Sequence, residues 1–167
     1  MLNSIGAVFL IVLVAVAAFS LAMAGYYISS MSTGLEAKAK TATGYFSNYK
    51  SESEYLQAAR SHVENFEEKA YMEVQFLNPA GNVIYSSYGL TLAGSMPGTL
   101  DIGNAISNRV LSSWTGNFEQ TGEHIMAVSS PLVYNGTVVG VLRYVTSMRV
   151  VDRQIIAITA FEGIASA

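Results

Sequence analysis

The chain has 167 residues, of which 51% are hydrophobic and only 13% charged, with a net charge of -3 at neutral pH. No Lys/Arg cluster exists to hold nucleic acid, and the lack of cysteine excludes a disulfide scaffold, a thiolate nucleophile and a Cys-based zinc site. Charge at about half the usual globular content, with a mean hydropathy of +0.34, points to a membrane-embedded part joined to one soluble domain.

Residues 5–28 (IGAVFLIVLVAVAAFSLAMAGYYI) carry no charge, and the first charged side chain after them is Glu36. About 20 apolar residues span a bilayer as helix, so this stretch predicts a transmembrane helix with Tyr26 and Tyr27 at the interfacial belt. The competing reading is a cleaved signal peptide over residues 1–24, because Ala22-Met23-Ala24 fits an A-x-A site. The apolar run is longer than a usual signal-peptide core, and no basic segment precedes it.

From Leu35 the pattern becomes amphipathic. Leu35, Ala39, Ala42, Phe46 and Tyr49 form a heptad-like stripe with Glu36, Lys38, Lys40 and Lys50 off it. The membrane helix is therefore expected to continue outward as one rod whose seam serves either a dimer or the domain's own sheet. Ser51 and Glu54 read as a capping box opening a second helix, with Leu56, Ala59, Val63 and Phe66 on one face.

A strand is expected at 71–77, where Met72, Val74 and Phe76 alternate with Glu73 and Gln75. Asn78-Pro79-Ala80-Gly81-Asn82 turns it into a second strand at 83–87. A Gly/Pro/Thr-rich loop over 89–99 leads to a short helix with its N-cap near Asp101 and Ile102, Ile106 and Val110 on one face. A third strand is expected at 114–118, then a turn over 120–123.

Residues 124–147 read as two long strands joined by Asn135-Gly136, the strongest short-range hairpin signal, since both central residues of a type I′ turn need φ > 0. Counting outward from a two-residue turn pairs Leu132 with Val139, Ser130 with Val141, Val128 with Arg143, Met126 with Val145 and His124 with Ser147. Both faces are largely apolar, so the hairpin should be central in its sheet and covered on both sides. Arg143 is the one formal charge within the two strands. Beyond them Arg149, Asp152 and Arg153 flank a short apolar stretch at 155–161 that resembles the opening of a second membrane helix.

Together these elements resemble the extracytoplasmic sensor region of bacterial membrane sensor histidine kinases, of the single-Cache (PAS-like) type and the Gram-positive kind. Phe76-Leu77-Asn78-Pro79-Ala80-Gly81-Asn82-Val83-Ile84-Tyr85-Ser86-Ser87 resembles that fold's first hairpin. Val128-Ser129-Ser130-Pro131-Leu132, Asn135-Gly136 and the run from Val139 to Ser147 resemble its last two strands, and Val151-Asp152-Arg153-Gln154-Ile155 its lead-in to the second membrane helix. The resemblance implies an α+β fold: an N-terminal transmembrane helix continuing into a long helix, then a five-stranded antiparallel sheet with helices packed on one face. It implies a transmembrane helix over 5–31, a sensor domain over 32–150 and the start of a second membrane helix over 151–167. The sensor domain would lie outside the cytoplasm, anchored to the cell membrane.

The implied function is signal input to a two-component kinase, with the input domain of a chemoreceptor or cyclase as the alternative and a pilin-like structural protein behind both. His62 and His124 stand in no phospho-acceptor context and no Gly-rich ATP lid exists, so the chain itself is expected to be no enzyme and to need no cofactor. Partners are expected to be the membrane, a second copy through the N-terminal helices, and a small carboxylate-type molecule or a protein ligand.

On the expected pairing Arg143 shares a face with His124, Met126 and Ser130, where its guanidinium and the Ser130 hydroxyl could hold a ligand carboxylate. The plainer reading is an internal salt bridge from Arg143 to Glu73, Asp101 or Glu123. Trp114 and Tyr144 read first as core aromatics and second as stacking platforms for a ligand. Arg149, Asp152 and Arg153 are the candidate signal relay. No metal site is expected, because His62 with Glu64 lacks a third ligand.

Overall fold

The computed structural model describes residues 2–46, 48, 51–88 and 94–149. The chain forms two compact units, one of Met1–Met31 with Met148–Ala167 and one of Ser32–Ser147. Helix α1 (Leu2–Phe46) runs without a break, and from Gly6 it is long and apolar enough to cross a membrane. Val8, Phe9, Leu10, Ile11 and Phe19 all point outward. That much continuous apolar surface would be a liability in water.

The sheet lies wholly in the second unit. Strands β1 (Glu73–Leu77), β2 (Val83–Ser86), β3 (Ser112–Phe118), β4 (Glu123–Tyr134) and β5 (Thr137–Ser147) are ordered β2-β1-β5-β4-β3, every pair antiparallel. The expected succession of two helices, two strands, a small helix and three strands is the one observed, and the hairpin strands β4 and β5 are central. Both are buried along most of their length.

The stripe on α1 is spent inside the chain. Leu35, Ala39, Ala42 and Phe46 are all buried, and Thr43 beside them shares a 2.6 Å hydrogen bond with Ser130 on β4. The seam thus packs on the domain's own sheet; Tyr49 and Lys50 lie outside the described residues. Helix α2 (Glu52–Glu64) starts as expected, Ser51 accepting a hydrogen bond from the Glu54 amide. Its buried face is Tyr55, Ala59 and Val63 rather than one led by Leu56, because the Tyr55 hydroxyl also reaches the Val133 carbonyl. Phe66 falls beyond the end of the helix.

Helix α3 (Leu100–Asn108) lies over the other face, where Ile102 and Ala105 join Leu77, Val83 and Val141 in a buried cluster. Its N-cap is Thr99, not Asp101, which sits in the first turn with its side chain turned into the sheet. The helix ends where Arg109 adopts the left-handed conformation at φ 57°, so Val110 is outside it and exposed.

The Asn135-Gly136 turn is as expected, with φ of 48° and 75°. The pairing beyond it is not. Val133 faces Val138 but Leu132 faces Gly140, so Val139 is an extra residue that bulges out of the ladder. From there inward the register is one residue off the simple count, and Arg143 lies opposite Ser129 instead of Val128. The bulge has a steric partner: Gly140 lies under the Phe76 ring, so closely that a Cβ there would come within 2.5 Å of it.

Candidate functional site

One rung of the sheet gathers polar side chains in its middle. Gln75 on β1 and Ser129 on β4 flank Arg143 on β5, and α3 supplies Asp101 from above. The Arg143 guanidinium donates from Nε to Asp101 Oδ2 at 2.9 Å, from Nη1 to Gln75 Oε1 at 3.0 Å and from Nη2 to Thr99 Oγ1 at 3.0 Å. Ser129 Oγ donates to the same Asp101 oxygen at 2.7 Å. Side-chain exposure is 1% for Arg143 and 0% for Asp101. Charges so far from water persist only when paired and hydrogen-bonded.

The network continues outward. Gln75 Nε2 donates to Glu73 Oε1 at 2.9 Å, and Ser86 Oγ on β2 donates to the same oxygen at 2.6 Å. An unbroken polar chain therefore runs from α3 through β5 and β1 to β2. Among the described residues one buried side-chain oxygen is left without a partner, Asp101 Oδ1. Of the three internal partners expected for Arg143, Asp101 is the direct one. Glu73 is reached through Gln75, and Glu123 instead accepts from Ser147 Oγ at 2.6 Å.

The displaced register divides the expected ligand set. Arg143 does not share a face with Met126 and Ser130, which point to the opposite side with Tyr144. Ser130 is engaged by Thr43, Met126 is buried, and the Tyr144 hydroxyl shares a 2.8 Å hydrogen bond with His62 Nε2. Trp114 is on the Arg143 face but packs into a separate cluster with Phe118, Ile125, Ala127 and Val145. The structure thus brings none of Ser130, Met126, Tyr144 and Trp114 to the guanidinium. It brings Asp101, Gln75, Thr99 and Ser129 instead. Arg149 is exposed two residues past β5, while Asp152 and Arg153 lie outside the described residues.

Gln75 escaped sequence reasoning because its alternation with Val74 and Phe76 is the pattern of a solvated strand face, whereas Glu73 is among the internal partners expected for Arg143. The only signal against it was the arginine that the neighbouring strand would bring alongside. Asp101 is legible both as a helix-start residue and as an internal partner for Arg143, and the structure realises the second role.

On the opposite face a groove of about 750 Å³ lies between α1 and α2, floored by β5 at Tyr144. Phe46, His62, Phe66 and Tyr144 form one aromatic group, ring centroids 6.0–6.3 Å apart in the pairs that touch. Burial holds His62 below its usual imidazole range. Burial first, and the Glu68 carboxylate second, push the Tyr144 phenol above its usual range. The proton between them is therefore best placed on the tyrosine oxygen, which donates to a neutral imidazole. At the rim Lys38 and Glu68 form a 2.6 Å ion pair.

No known family profile matches the sequence, and no curated protein does either. Solved structures do match in fold. They include the ligand-binding domain of the Pseudomonas aeruginosa amino-acid chemoreceptor PctC in complex with GABA, at TM-score 0.60 and 17% identity over 79% of this chain. The sensor domain of the Vibrio cholerae histidine kinase DctB matches at TM-score 0.53 and 13% identity over 81% of the chain. A Campylobacter jejuni chemoreceptor domain in complex with L-valine matches at TM-score 0.58 and 11% identity over 81%. This chain spans 62%, 56% and 60% of those three proteins respectively. At such identities the likeness is one of fold: the five-stranded antiparallel sheet with its packed helices, in a Cache/PAS-like arrangement.

Proposed function

We propose that the chain is the extracytoplasmic input module of a two-component sensor histidine kinase, anchored in the membrane through residues 5–31. The observation that carries this reading is the buried polar chain through Arg143. It ties α3 and Thr99, at the end of the long loop, to the central strands of a sensor-type sheet. Buried charge networks of this sort have few arrangements of low energy, so a ligand that engages one of their members favours one arrangement over another. The expected ligand is a small carboxylate that competes with Gln75 or Thr99 for the guanidinium. The expected assembly is a dimer through the membrane-spanning part of α1, since the stripe farther along is already used.

A small-carboxylate screen by thermal shift tests the site. A carboxylate should raise the melting temperature of wild type, and Thr99→Val, which removes the competing hydroxyl and spares the Arg143–Asp101 pair, should enlarge that rise. A rise of equal size in both proteins overturns Arg143 as the anchor. The sequence of the gene beyond Ala167 tests the output. A phospho-acceptor helix and an ATP-binding domain there support the kinase, and their replacement by another output domain moves the reading to a chemoreceptor or cyclase, which the PctC likeness favours as the second choice.

A further inference from the structure

The groove between α1, α2 and β5 is separate from the Arg143 network, and packing alone does not explain it. Two helices lying side by side on a sheet normally interdigitate, yet here they leave between them an open groove whose volume is within the roughly 300–1,000 Å³ typical of small-molecule pockets. Its wall is aromatic, from Phe46, Phe66 and Tyr144, with the imidazole of His62 among them. Its ionisable lining is Lys38, Glu67 and Glu68, besides the neutral His62. Lys38 is neutralised by Glu68 at 2.6 Å, and Glu67 is an exposed carboxylate for which no described residue provides a partner. The groove therefore combines ring faces with one uncompensated negative charge. That pairing favours an organic cation over a neutral or anionic molecule of the same shape, because both the ring quadrupoles and the carboxylate attract positive charge.

We propose that this groove is a second binding site, for a small organic monocation with an apolar body, such as an arylalkyl ammonium. The ammonium sits toward Glu67 at the mouth, and the apolar body lies against Phe46, Phe66 and Tyr144. The site is independent of any carboxylate held at Arg143, being on the other face of the sheet.

Three probes of one size test it: phenethylammonium, phenethyl alcohol and phenylacetate. Each is titrated into the full chain in zwitterionic lipid nanodiscs while the imidazole resonances are followed by NMR. The chain has only two histidines, and His124→Gln assigns them. Phenethylammonium should shift the His62 resonance saturably and leave His124 still, with the alcohol weaker and the carboxylate weakest. Glu67→Gln, a surface change that does not threaten folding, should weaken the ammonium about fivefold, the effect of one unit charge near contact distance in a solvated setting. It should leave the alcohol unchanged. Raising the salt concentration on wild type should weaken the ammonium in the same way. Equal affinity for the three probes, an unaltered ammonium affinity in Glu67→Gln, or no saturable shift at His62 would each overturn the proposal.

Discussion

Asp101 and Arg143 place opposite charges 2.9 Å apart where neither has contact with water. The attraction between them is offset by the desolvation of both, so the pair as a whole adds little to stability, whereas losing one partner strands the other. Arg143→Met should therefore cost about 3–5 kcal/mol, most of it from the abandoned Asp101 carboxylate. Asp101→Leu combined with Arg143→Met should cost less than Arg143→Met alone. Denaturant titration followed by the fluorescence of the single tryptophan, Trp114, measures both. A double variant less stable than the single one would mean that Ser129, Gln75 and Thr99 depend on the charges more than the charges depend on each other.

His62 and Tyr144 set a pH window by the same logic of burial. The folded imidazole is held below its ordinary value, so the unfolded chain takes up the proton first. Stability is then complete above about pH 6.5 and declines as pH falls from there toward the folded value. The folded phenol is pushed up, so the unfolded tyrosine ionises first and stability falls as pH rises past about 10. Thermal melts from about pH 5 to 8, the range where histidine titrates, should show the acid decline, and His62→Gln should flatten it. An acid limb unchanged by His62→Gln would assign it to other groups.

At the scale of elements, the β4–β5 hairpin shows how far a sequence carries its own structure. Asn135-Gly136 announces the turn, the apolar runs announce two central strands, and all of that is observed. The bulge at Val139 is not announced, because it answers to Phe76, a residue remote in the chain whose ring occupies the space above Gly140. One inserted residue moves every inward side chain to the other face. That is why Arg143 was legible as the residue to explain while Ser129, Gln75 and Thr99 were not legible as its partners. The seam on α1 shows the same limit: its spacing was readable, but its choice of the sheet over a second copy depends on where the sheet lies. Gly140→Ala tests the steric cause. The added methyl meets the Phe76 ring at 2.5 Å and the Leu77 carbonyl at 2.9 Å, and only the ring has room to yield. Overpacking of this kind costs about 1–3 kcal/mol. Phe76→Leu in the same chain should recover part of that loss in denaturant titrations, and a Gly140→Ala protein as stable as wild type would separate the bulge from the ring.

Across the whole molecule the chain passes between its two compact units twice, at Met31–Ser32 within α1 and at Ser147–Met148 after β5. The second passage comes directly after the strand that carries both Arg143 and Tyr144, one facing each side of the sheet. If the chain is the input module of a membrane sensor, β5 is the element through which either face can act on the residues past Ser147, since a shift in a strand is passed along its own backbone without loss. Arg149 stands two residues beyond β5, in the segment expected to relay that shift. A signal can move the output only by the difference in free energy it creates between two states, and a flexible joint dissipates that difference before it arrives. Four Gly-Ser residues inserted after Ser147 in the intact receptor should therefore leave ligand binding and the domain's melting temperature unchanged while abolishing the response to ligand. The measurement is receptor output with and without ligand, alongside a binding isotherm on the same protein. A response that survives the insertion would take β5 out of the relay and leave the continuous helix α1 as the route.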